Sequence, residues 1–131
     1  MPPDAQVDLW LTKAAQDEWV VERLLNDPDA PDEILGFHAQ QAAEKLLKAA
    51  LCAARIVFPR THQLDELLDL AREQGLAVPN ELEDIRYLTP FAVELRYDIL
   101  PAESNEALDR PSVRASLARL HAWALDIIQK S

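Results

Sequence analysis

A chain of 131 residues, 49% hydrophobic and 27% charged, is long enough to bury a core and too apolar to be disordered. Its net charge of −10 argues against general electrostatic affinity for nucleic acid. Two glycines leave no material for Gly-rich phosphate loops, and one cysteine excludes both an internal disulfide and a Cys-rich zinc site.

Residues 7–25 place Val7, Trp10, Leu11, Ala14, Val21, Leu24 and Leu25 at helical spacing, and NDPDAP stops the run. Pro31 then suits the first position of a second helix, with Asp32 and Glu33 near its positive end. That helix runs to about Arg55, where ARIVFPRT ends it. Thr61 is placed to cap a third helix over residues 62–74, and Gly75 to close it in the left-handed conformation. Asn80 followed by Glu83 reads as a capping box for a short fourth helix, kinked or restarted at Thr89-Pro90. Residues 99–109 form a polar connection. From Pro111 onward Val113, Leu117, Leu120, Ala124, Ile127 and Ile128 define a closing helix.

No convincing strand, repeat or low-complexity segment is present. The expected fold is all-α, an up-and-down bundle of four to five helices forming one domain over residues 1–131, with its core at about 7–129. No apolar run approaches the roughly 20 residues of a membrane span. The opening MPPDAQVD is acidic and polar rather than leader-like, so the expected location is the cytoplasm, without membrane association.

Charge is unevenly spread. Residues 37–60 carry four bases against one acid, a net +3, whereas residues 61–109 carry twelve acids against three bases, a net −9. The basic segment contains FHAQQAAEKLLKAAL, residues 37–51. On a helical wheel Ala39, Ala42, Ala43, Leu46, Leu47, Ala50, Ala53 and Ala54 share one side, which small residues open to close helix packing. Gln40, Gln41, Glu44, Lys45 and Lys48 share the other, with His38 at its margin. Such a side is most often solvated, but Phe37 and Leu51 fall beside it, and apolar groups there fit a partner or dimer surface better. Glu44 is also spaced to pair with Lys48, four residues on.

FHAQQAAEKLLKAAL, followed by FPRTHQLDELL and VELRYD, resembles the HEPN family (higher eukaryotes and prokaryotes nucleotide-binding). Gln41, Glu44-Lys45 and Lys48, then Thr61-His62 with Leu64, then Arg96-Tyr97 follow the family's order and spacing, over residues 10–128. The resemblance implies a dimerising bundle of four or five helices that acts beside a minimal nucleotidyltransferase in a toxin–antitoxin pair. Active relatives are metal-independent RNases whose arginine is followed, after four to six positions, by histidine. The histidine moves a proton at the 2′-hydroxyl or leaving oxygen, and the arginine stabilises the charged phosphorane. Here Arg96 matches, but Pro101, Ala102 and Glu103 occupy the positions for histidine.

The resulting expectation is a homodimeric binding module without cofactor or metal, partnering a nucleotidyltransferase. Gln41, Glu44, Lys45, Lys48, Arg96 and Tyr97 form its nucleotide- or RNA-binding surface, with lysines as point charges and arginine as a fork for phosphate. Two alternatives stand beside it. One is a divergent endoribonuclease using Arg96 with His38, His62 or Tyr97; the other is an interaction module without a ligand. Arg114 and His121, with six residues between them on the closing helix, Cys52 and the three tryptophans read as flank or packing residues. Asp65, Glu66 and Asp69 read as an exposed acidic face.

Overall fold

A computed structural model describes residues 3–92 and 108–131. It is an all-helical bundle of α1 (Pro3–Leu25), α2 (Asp32–Ala53), α3 (Leu64–Glu73), a run of 3-10 turns (Asn80–Phe91) and α4 (Arg110–Lys130), with no strand among the described residues. α2 is the centre: α1, α3, the 3-10 run and α4 all pack against it. Its alanines explain this. Ala39, Ala42, Ala43, Ala49 and Ala50 are fully buried, and side chains that short let several helices approach one axis at once. Gly36 is needed for the same reason. A Cβ there would fall 2.6 Å from Cγ of Phe91, inside the ring's contact distance.

The breaks between elements largely follow local chemistry. Pro31 occupies the N-cap of α2 rather than its first position, so the helix begins at Asp32, one residue later than expected, with Asp32 and Glu33 in the first turn. Gly75 has φ +93° after α3, and Leu76 N–H donates to Ala71 carbonyl. α2 closes the same way without glycine: Arg55 takes φ 61° and Ile56 N–H donates to Leu51 carbonyl at 2.9 Å. Asp109 caps α4 by accepting from Ser112 N–H at 3.2 Å, with Pro111 in the first turn.

Two expectations are corrected. α3 begins at Leu64 rather than His62. The His62 carbonyl and ring are both engaged by α2 side chains, which holds residues 61–63 out of helical register. Thr61 Oγ1 accepts from Gln63 N–H, and the first N–H of α3 instead donates to Thr89 Oγ1 at 3.2 Å, a cap supplied from the 3-10 run. That run is the second correction. Pro79 stands at its N-cap, without a side-chain cap bond, where Asn80 was expected to form a capping box with Glu83. Glu83 is drawn away by Arg72 of α3 and by Arg86.

The last helix is tied to the first connection by one side chain. Arg110 donates to the carbonyls of Leu24 (3.0 Å), Asp27 (2.8 Å) and Ala30 (2.6 Å) and to Asp32 Oδ1 (3.1 Å). Asp32 Oδ2 also accepts from Leu108 N–H at 3.0 Å. The carbonyls left without helical partners around the end of α1 thus receive a cation.

Hydrogen bonds from Arg86, then from Arg72, lower the Glu83 carboxyl to a pKa of about 2, well below its ordinary value. Because the folded pKa is depressed, this contribution is fully present above the ordinary carboxylate range and is lost as pH falls through it toward about 2. Solvent screening of this one-third-exposed side chain keeps the effect modest. Thermal melts of the wild type and Glu83→Gln should differ most near neutral pH, with the wild type higher. The difference should shrink steadily below about pH 4.5 and vanish near the folded pKa.

Candidate functional site

The polar residues of α2 lie between α1 on one side and the α2–α3 connection on the other. Two carboxylates organise them. Glu44 Oε2 accepts from Lys48 Nζ at 2.9 Å, while Oε1 meets His62 Nδ1 at 2.8 Å and Gln40 Nε2 at 3.1 Å. Gln40 Nε2 also donates to the His62 carbonyl at 2.9 Å, and Gln40 Oε1 accepts from Gln41 Nε2 at 2.7 Å. The second carboxylate, Asp17 of α1, takes Lys45 Nζ at 2.5 Å and faces His38 Nδ1 at 3.0 Å.

Burial separates these residues sharply. Gln40 is 0%, Glu44 3% and Lys48 7% exposed, whereas His38, Gln41, Lys45 and His62 are half-buried. Gln40, Glu44 and Lys48, which the wheel places on the outward polar side of α2, are therefore enclosed. α1 and the His62 segment cover that side, and the polar groups tolerate burial because they satisfy one another. Lys48 has a second means of support. Its ammonium lies 5.4 Å from the Trp10 ring centroid and 5.9 Å from that of Phe58, two rings in edge contact with each other. Leu51, expected beside an outward interface, is 0% exposed and belongs to the core; Phe37 is half-buried, its ring edge-on to His38.

Of the expected site residues, Gln41, Glu44, Lys45 and Lys48 thus meet in one region in two layers: Gln41 and Lys45 at a half-exposed edge, Glu44 and Lys48 beneath it. Arg96 and Tyr97 lie outside the described residues. Both lysines are ion-paired, so each offers a partly neutralised ammonium rather than a bare charge. Asp17 and the Glu44 contact of His62 were not anticipated. Asp17 did leave a signal, an acid three residues after Ala14 and four before Val21 on the buried stripe of α1.

Several other titratable groups bridge helices. His121 Nδ1 meets Glu18 at 3.0 Å and Arg114 meets Glu22 at 3.3 Å, both joining α4 to α1. Burial pushes the Glu18 carboxyl above its ordinary value, with His121 opposing. Burial also raises the Cys52 thiol, whose Sγ lies 3.6 Å from Gln6 Oε1, the reverse of what an activated nucleophile needs. On the acidic face of α3, Asp69 and Asp65 meet Arg86 at 2.9 and 3.7 Å. Trp123 donates to the Ala77 carbonyl, while Trp19 is largely exposed with Arg23 over its ring. Among the described residues no group of three His, Cys, Asp or Glu is placed to hold a metal, and no helix is long and apolar enough to cross a membrane.

Chemically, the arrangement presents a polar edge whose orientation is set from inside. Removing Glu44 leaves the Lys48 ammonium buried without its counter-charge. Glu44→Ala should cost about 3–5 kcal/mol in chemical denaturation. The Glu44→Ala/Lys48→Met double variant should recover part of that loss, giving a positive coupling in a double-mutant cycle.

A protein-family model described as HEPN domain matches residues 7–117 of the chain. No curated protein and no solved structure matches it.

Proposed function

The chain belongs to the HEPN domain family, and on that premise we propose that it is a nucleotide- or RNA-binding helical module. In this reading it forms a homodimer and partners a minimal nucleotidyltransferase in a toxin–antitoxin-like system. The observation that carries the ligand-binding part is the half-exposed edge of Gln41 and Lys45, the first held from beneath by Gln40, itself bonded to Glu44, and the second from the side by Asp17. A polar edge held this way has little side-chain freedom left to lose when it binds. Lys45 meets a phosphate, with Arg96 and Tyr97 completing the surface. Glu44 and Lys48 act as positioning residues, since both are buried. Exposed apolar side chains, Trp19 and Val57 above all, provide area for a second chain.

Calorimetry with AMP and with a short single-stranded RNA tests this reading. Lys45→Ala should weaken binding by about tenfold and flatten its salt dependence by about one phosphate contact. Unchanged binding by Lys45→Ala/Arg96→Ala would sink it. Light scattering should give twice the 14.8 kDa chain mass, and co-expression should recover the nucleotidyltransferase bound.

One observation favours the endoribonuclease alternative. His38 is held through Nδ1 by Asp17, a carboxylate–imidazole arrangement that orients a general acid/base. If that reading holds, purified protein cleaves RNA without added metal, and Arg96→Ala and His38→Ala each abolish cleavage. Cleavage that survives both substitutions excludes it.

A further inference from the structure

The hydrogen-bond directions along the Gln40–Gln41 pair are fixed from their buried end. A backbone carbonyl only accepts, so the Gln40 atom 2.9 Å from the His62 carbonyl must be the amide nitrogen. The same nitrogen donates to Glu44 Oε1 at 3.1 Å. Gln40 Oε1 then remains as an acceptor, so the Gln41 atom 2.7 Å from it must be Nε2. Reversing either amide would set oxygen against oxygen. At Gln40 that clash would lie in a fully buried position, where no water relieves it.

Gln41 is therefore polarised. Its nitrogen faces the interior network, and its Oε1 is the opposite end of a half-buried side chain, with no donor among the described residues. Gln41 lies one turn after Phe37 and one turn before Lys45, so the amide stands between a ring and a cation on the same edge of α2.

We propose that Gln41 Oε1 selects the base of the bound nucleotide by accepting from an exocyclic amino group. The site then takes adenine or cytosine in preference to hypoxanthine or uracil, which carry a carbonyl oxygen at the equivalent position. This rests on the nucleotide-binding reading above and adds a direction to it. The amide cannot turn over to suit a carbonyl without breaking its bond to Gln40. A mismatched base therefore meets a lone pair rather than an adaptable side chain.

The decisive comparison is calorimetry of the wild type with AMP against IMP, and with CMP against UMP. Within each pair the ligands differ at the exocyclic position and at the adjacent ring nitrogen, which carries a proton in IMP and UMP. AMP and CMP should bind on the order of tenfold tighter than their oxo counterparts. The ratio should fall to near one in Gln41→Leu. Circular dichroism should show that variant folded. Equal binding of AMP and IMP by the wild type overturns this inference alone, as does a ratio unchanged in folded Gln41→Leu. Absence of binding by all four nucleotides overturns the ligand-binding reading and this inference with it.

Discussion

An ammonium and a carboxylate one helical turn apart, both shut inside the bundle, set the terms for much of what surrounds them. Neither Glu44 nor Lys48 retains enough water to be stable by itself, so the fold must supply the missing partners. Glu44 obtains them from the α2–α3 connection through His62 and from its own helix through Gln40. Lys48 obtains two aromatic faces, one from α1 and one from residue 58. The start of α3 and the orientation of Gln41 both follow from the bonds that satisfy this pair, and Trp10 of α1 adds a ring to it.

The arrangement also divides labour among residues that look alike in sequence. Lys45 and Lys48 are three residues apart, yet one sits at an edge and the other is enclosed. Likewise Gln40 sets hydrogen-bond direction from within while adjacent Gln41 presents it. Such an interior is stiff, because each member has a specific partner and no member can turn without stranding another.

Helical class and most breaks were readable from local signals: the proline before α2, the glycine after α3 and the apolar spacing of α4 each act within a few residues. What covers the polar side of α2 was not readable, because covering is a long-range fact. The same wheel describes a wet face or a lined interior, depending on whether another helix lies over it. Asp17 is 21 residues from His38 and 28 from Lys45, separations that no periodicity reports. The 3-10 run failed for a related reason. Asn80 and Glu83 have the spacing of a capping box, but the two arginines form stronger, charge-assisted bonds to Glu83 than a helix start offers.

The Arg110 clasp has a consequence for how the bundle comes apart. It joins residues about eighty positions distant in the chain, so its closure is entropically costly until everything between has assembled. Once α4 lifts away, three carbonyls and Asp32 lose their shared donor together. Undocking the last helix therefore strips the turn between the first two of its cation and leaves it the backbone bonds from Asp27 N–H to the Leu24 carbonyl and from Ala30 N–H to the Asp27 carbonyl.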